Sequence, residues 1–220
     1  ISQTGATGIV TALHHLPAGV IWSEKEISFR NSEILSSKKN IEVDLSWNVV
    51  ESLPVSEDIK RQSGDWCTHI KNYCISLENL AAAGISTICY NFMPILDWTR
   101  TELAWKLPNG ATCMRFDLID FIAFDVFILK RNGAVNNYSK GLHYEAKKRY
   151  QNMSKAKKEN LSSNIVSGLP GASEKFLLKD VKEHLKKYEN ITERILRSNL
   201  VVFLKEVAPV AHELGLRLCC

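Results

Sequence analysis

The stretch Leu80-Ala81-Ala82-Ala83-Gly84-Ile85-Ser86-Thr87-Ile88-Cys89-Tyr90-Asn91-Phe92-Met93-Pro94 decides the fold. It holds the end of a helix, a stop and a strand. Upstream, Trp66, Ile70, Tyr73, Leu77, Leu80 and Ala81 recur at helical spacing, with Asp65 placed as the N-cap. Gly84 falls at the C′ position, where a left-handed residue ends the helix. Ile85 to Phe92 is β-branched and apolar, and Pro94 closes it. A helix that hands the chain straight to a buried strand is the repeating unit of an α/β fold.

The same grammar extends in both directions. Gly8 to Leu13 is a short apolar run and reads as strand 1. Ser23 and Glu26 form a capping box that opens a helix from about Ser23 to Lys38. Val43 to Leu53 carries Leu45, Trp47, Val49, Val50 and Leu53 before Pro54, and reads as strand 2. After strand 3 the alternation breaks. Residues 100 to 190 read as helical and mixed: an apolar run from Phe116 to Arg131, a basic one from Tyr138 to Lys158, an amphipathic one from Phe176 to Tyr188. A long helix from Thr192 to Leu214 then stops at Gly215, and Leu216 to Cys220 reads as strand 4.

Alternating units imply a parallel sheet with right-handed crossovers. No Gly-rich phosphate fingerprint follows any strand, which weakens the dinucleotide-binding version of the open sheet. The expectation is α/β: a partial (β/α)8 TIM barrel holding about the first four strands, with a helical insertion after strand 3. The expected divisions are 1–99 for strands 1 to 3 and their helices, 100–190 for the insertion, and 191–220 for the last helix and strand 4. Half a barrel exposes an apolar inner face and open strand edges. The chain is therefore expected to continue past Cys220, and the absence of an initiator Met suggests residues before Ile1.

Composition narrows the class. Hydrophobic residues make up 45% of the 220 and charged residues 24%, which suits a domain with an ordinary core. The net charge of +4 is too weak and dispersed for a nucleic-acid stripe. No apolar run approaches the roughly 18 residues of a membrane span, and the start lacks a signal-peptide pattern. Of the six cysteines, Cys67 and Cys74 lie on one helix about 10 Å apart, too far to bridge. Reduced, buried thiols and a cytoplasmic location follow as expectations. The sequons at Asn137, Asn152, Asn160 and Asn190 are then chance matches.

Barrel chemistry sits where strands end. His14 and His15 follow strand 1, and one of the two is expected to face the pocket, since neighbours on an extended chain point opposite ways. Glu51 ends strand 2, as a base, an orienter or a partner for a basic group. Asn91 and Asp97 flank the turn after strand 3; an Asn there suits sugar hydroxyls, and Asp97 equally suits a turn. Trp98 and Arg100 supply an aromatic wall and a carboxylate clamp, against core packing for Trp98. The basic run Lys147, Lys148, Arg149, Lys155, Lys157, Lys158 reads as a solvated helical face, and no His, Cys, Asp or Glu group has metal-ligand spacing.

Several stretches together resemble the mannonate dehydratase family. They are Gly5-Ala6-Thr7-Gly8-Ile9-Val10-Thr11-Ala12-Leu13-His14-His15-Leu16-Pro17, then Trp47-Asn48-Val49-Val50-Glu51-Ser52-Leu53-Pro54 with Glu57-Asp58-Ile59-Lys60. The most specific is Cys89-Tyr90-Asn91-Phe92-Met93-Pro94-Ile95-Leu96-Asp97-Trp98-Thr99-Arg100-Thr101, and Gly168-Leu169-Pro170-Gly171 follows in the insertion. The resemblance implies a xylose-isomerase-like barrel and a cytoplasmic lyase of hexuronate catabolism. It implies dehydration of D-mannonate to 2-dehydro-3-deoxy-D-gluconate with Mn2+ or Fe2+, by a homodimer with no nucleic-acid or membrane partner. It also implies that the metal ligands and acid–base groups lie beyond Cys220. These 220 residues alone are therefore expected to be inactive, and His14, His15, Glu51, Asn91, Asp97, Trp98 and Arg100 are substrate-side candidates. Two other readings stand beside it: a sugar isomerase or epimerase of the same barrel, and a non-catalytic fragment that binds a sugar acid or a partner.

Overall fold

The computed structural model describes residues 4–36, 45–96, 98–167 and 177–220. The chain forms two compact units, Ile1–Pro94 with Asn190–Cys220, and Ile95–Glu189.

The first unit holds β1 (Gly8–Thr11), α1 (Glu24–Ser36), β2 (Ser46–Val50), α2 (Glu57–Arg61), α3 (Trp66–Ala82) and β3 (Thr87–Cys89). The second holds β4 (Glu102–Lys106), β5 (Thr112–Arg115), α4 (Leu118–Ala123), α5 (Lys140–Asn152), α6 (Lys155–Val166) and α7 (Leu178–Lys187). The first unit then resumes with α8 (Glu193–Glu213) and β6 (Arg217–Cys219). Its sheet is parallel throughout, in the order β1-β2-β3-β6. This is an α/β fold, and the four expected strands form at their expected places.

Two helix ends deliver the chain to the sheet in the same way. Below α3, Ile85 N–H donates to the Leu80 carbonyl at 3.0 Å and Gly84 N–H to Ala81 at 2.9 Å. Below α8, Leu216 N–H donates to Ala211 at 2.8 Å and Gly215 N–H to His212 at 3.0 Å. Both are Schellman closures around a left-handed glycine, with φ of 78° at Gly84 and 66° at Gly215. Ile85 and Leu216, the residues just beyond, are buried and lead into the next strand.

The core of this unit lies between the sheet and its helices. Phe203 of α8 is fully buried and meets Tyr73 of α3 edge-on, with centroids 5.1 Å apart. It also meets Tyr90 and Phe92, each at 5.9 Å. Polar residues of α3 strap the segment between β1 and α1: Asn72 donates to the Gly19 carbonyl and Asn79 to that of Trp22, both at 2.8 Å. Ser23 Oγ accepts from Glu26 N–H at 3.3 Å, one arm of the expected capping box.

The second unit corrects the reading of residues 100 to 190 as helical. It opens with an antiparallel hairpin, β4 to β5. Leu107 N–H bonds the Ala111 carbonyl at 2.8 Å around Pro108-Asn109-Gly110, and Gly110 takes a φ of 85°. The side chains of Leu103, Trp105 and Met114 are exposed, and the alternation of Leu103 and Trp105 with Glu102 and Lys106 is a strand signal that the sequence reading missed. The basic run at 138–158 is two helices, because Ser154 leaves helical geometry and its hydroxyl caps Lys157 N–H at 3.2 Å. Beyond α4 a π-helical turn spans Phe124–Leu129. There buried Asp125 accepts from Arg131 at 2.8 and 2.6 Å and from the Tyr138 hydroxyl at 2.7 Å. Ile122, Phe124, Ala146, Leu161 and Ile165 form the core of this unit.

Candidate functional site

All four parallel strands end on one edge, and their next residues form a band there. Glu51 N–H donates to the Thr11 carbonyl at 3.1 Å, Leu53 N–H to Cys89 at 3.0 Å, and Tyr90 N–H to Cys219 at 2.9 Å. These bonds continue the sheet ladder one step past the strands. They bring Glu51, Ser52, Cys89, Asn91 and Cys219 together from three separate segments.

Within the band, Asn91 Nδ2 donates to Ser52 Oγ at 3.2 Å. The peptide between Glu51 and Ser52 is cis. Cys89 and Cys219 are register partners on β3 and β6. The Glu51 carboxylate and Cys219 lie near the Cys89 thiol. Burial first, then the neighbouring carboxylate, pushes this thiol up to about 12. Burial, with Cys220 beside it, likewise raises Tyr90.

At the end of β1, His15 Nε2 and Glu26 Oε2 are 2.8 Å apart. His14 is exposed on its outer side, yet desolvation on its inner side lowers its pKa, with Arg30 and then His15 adding positive charge nearby. A neutral His14 can accept as well as donate a hydrogen bond at neutral pH.

Glu51 and Asn91 thus lie together, while His14 and His15 follow the neighbouring strand. Trp98 and Arg100 belong to the second unit. Trp98 is 58% exposed. Arg100 is 6% exposed, and its guanidinium donates to the Ser167 carbonyl at 2.9 Å and faces Met114 Sδ at 3.8 Å. Asp97 and the stretch Gly168–Gly171 lie outside the described residues.

Sequence reasoning passed over Ser52, the Cys89–Cys219 pair and Lys60. The pair is set by register between strands 130 residues apart, which no local pattern announces. Lys60 had a local signal, a Glu three residues earlier on the same short helix. The expectation of buried thiols needs correction: Cys67, Cys113 and Cys220 are exposed, and Cys74, Cys89 and Cys219 half-buried, because each of the first three lies on an outer face or at a chain end. All six are free thiols.

A catalytic site for a transition metal such as zinc typically draws three side-chain ligands from the protein. Among the described residues no group of three or more His, Cys, Asp or Glu side chains converges to hold one. Glu51, Cys89 and Cys219 lie close together at the strand edge. Among the described residues no helix is long and apolar enough to cross a membrane.

A parallel sheet flanked by helices, with its polar side chains gathered on the carboxyl edge, defines an α/β protein. A family model described as D-mannonate dehydratase matches residues 1–220. The chain belongs to that family. It is 49% identical over 218 residues to mannonate dehydratase 1 of Agrobacterium fabrum, covering 99% of this chain and 53% of the relative. The mannonate dehydratase of Rhizobium meliloti is 46% identical, with the same coverage. That of Chromohalobacter salexigens is 48% identical, over 99% of this chain and 54% of the relative. In three dimensions the chain resembles the crystal structure of mannonate dehydratase from Streptococcus suis serotype 2. The TM-score is 0.63 at 28% identity, covering 98% of this chain and 46% of that one. The chain spans about half the length of the curated relatives it matches.

Proposed function

We propose that this chain forms part of an enzyme that removes water from D-mannonate, giving 2-dehydro-3-deoxy-D-gluconate in hexuronate catabolism. The observation that carries this reading is the 46–49% identity with three mannonate dehydratases over 99% of the chain. The strand-edge band suits such a substrate, because hydroxyls and a carboxylate need several directed polar partners.

The reaction breaks the C2–H and C3–O bonds, and the enol that results tautomerises to the 2-keto acid. The C2 proton is weakly acidic beside a carboxylate, so the developing charge needs stabilising and the 3-hydroxyl needs a proton to leave. In this reading Asn91, Ser52 and Glu51 hold sugar hydroxyls, and His14 or His15 approaches the acid end. Trp98, Arg100 and Asp97 stay as further substrate-side candidates, although the Arg100 guanidinium is already engaged within its own unit.

The family resemblance implies Mn2+ or Fe2+. As the resemblance implies, the ligands and the acid–base groups are read as lying beyond Cys220, and no step is routed through the metal. The four strands are read as part of a (β/α)8 barrel interrupted by a segment that holds a β-hairpin and helices, in a cytoplasmic homodimer.

The test is to purify the whole protein that carries this chain and supply D-mannonate with Mn2+. A 2-keto-3-deoxy acid, detected by thiobarbiturate and by NMR, supports dehydration. An isomerised or epimerised sugar acid with no loss of water would replace it with the isomerase reading.

A further inference from the structure

The loop that carries Asn91 is held by a buried charge. Lys60 of α2 is only 8% exposed. Its Nζ donates to the Met93 carbonyl and to Glu57 Oε1, each at 2.8 Å. Its own carbonyl accepts from Asn199 Nδ2 at 2.8 Å, and Asn199 of α8 is itself buried. One lysine therefore joins α2, α8 and the loop after β3.

A buried ammonium is costly unless paired, and an apolar side chain of similar length would fill the same space without that cost. What the charge adds is a directed bond to one carbonyl, two residues past Asn91. Between them, Phe92 is packed against Phe203. The loop is thus pinned at three successive points: Asn91 to Ser52, Phe92 into the core, Met93 to Lys60.

We propose that Lys60 is a positioning residue for the sugar-acid site. Through the Met93 carbonyl it sets the Asn91 amide against the Ser52 hydroxyl, in the orientation that receives a sugar hydroxyl. The inference rests on the sugar-acid reading given above, and its test separates the two.

The whole protein, labelled with 15N at asparagine, is compared with its Lys60→Met, Lys60→Gln and Lys60→Arg variants. The readouts are the Asn91 side-chain amide resonance, KM and kcat for D-mannonate, and the melting temperature. In Lys60→Met the Asn91 resonance shifts and KM rises about tenfold, the loss of one charge-assisted hydrogen bond, while kcat changes less. Lys60→Arg restores most of both. An unchanged resonance and KM beside a lowered melting temperature would overturn the proposal, leaving Lys60 a structural residue. If Lys60→Met fails to fold, Lys60→Gln, whose uncharged amide nitrogen sits one bond short of the Met93 carbonyl, is expected to give the same shift and rise in KM, and their absence overturns the proposal. If the wild-type protein dehydrates no mannonate, the functional reading falls, and the Asn91 resonance alone decides: a shift reversed by arginine supports the proposal, and no shift overturns it.

Discussion

Asn91 Nδ2 reaches Ser52 Oγ across 3.2 Å, so the loop after β3 is tied to the turn after β2 by a side-chain bond that neither strand makes by itself. The bond brings together polar groups 39 residues apart. Removing the amide by Asn91→Ala is expected to cost about 1 kcal/mol of stability, the net worth of one hydrogen bond. On the function proposed above, the whole protein's affinity for D-mannonate should fall by a larger factor, roughly tenfold or more. Urea unfolding and a mannonate titration measure the two separately. Equal, small losses in both would remove Asn91 from the site.

Phe203 is the second prediction. Its ring is fully buried among Tyr73, Tyr90 and Phe92, so truncation leaves a cavity that three aromatic neighbours from different elements cannot close. Phe203→Ala should cost about 3–5 kcal/mol, seen as a lower urea midpoint. Phe203→Leu should cost much less. If both variants melt like the wild type, α8 does not pack as described.

Much of the first unit was legible because its signals are local. Gly84 and Gly215 end helices, Ser23 opens one, and short apolar runs mark the strands. What was not legible depends on neighbours distant in sequence. Cys89 and Cys219 meet only through strand register. Arg100 has the chemistry of a carboxylate clamp, but packing turns it toward the Ser167 carbonyl. The β4–β5 hairpin did carry local signals, the alternation Glu102-Leu103-Ala104-Trp105-Lys106 and the turn residues Pro108-Asn109-Gly110, but the run is only five residues long and lies beside long helical stretches.

The thiols yield a third prediction. Burial and the Glu51 carboxylate push Cys89 up to about 12, so it stays protonated at pH 8 and reacts slowly with iodoacetamide. Exposed Cys67, Cys113 and Cys220 should be alkylated first, as peptide mass spectrometry would record. Glu51→Gln removes the negative charge and should speed the reaction of Cys89. The sign for stability follows from the same shift. The unfolded thiol ionises near its ordinary value while the folded one holds its proton, so the contribution is full below about pH 9. It is lost progressively as pH rises toward 12. Cys89→Ser, whose hydroxyl does not ionise in this range, should flatten that part of the stability curve.

The two helix stops give the last prediction, and they test the repeat that organises the first unit. Gly84 and Gly215 have φ of 78° and 66°, and a Cβ at either would meet nothing within 4 Å. The cost of adding one is therefore conformational rather than steric crowding. An L-alanine forced into the left-handed region costs about 1–2 kcal/mol, and asparagine, which tolerates that region, costs less. Gly84→Ala and Gly215→Ala should each lower stability by that amount, with Gly84→Asn and Gly215→Asn in between. The two glycines end different helices, one before β3 and one before β6, and share no bonding partner. Their costs should add in the double variant to within about 0.5 kcal/mol. If either L-alanine variant is as stable as the wild type, the left-handed φ at that glycine is not needed, and the shared geometry of the two helix ends loses its support.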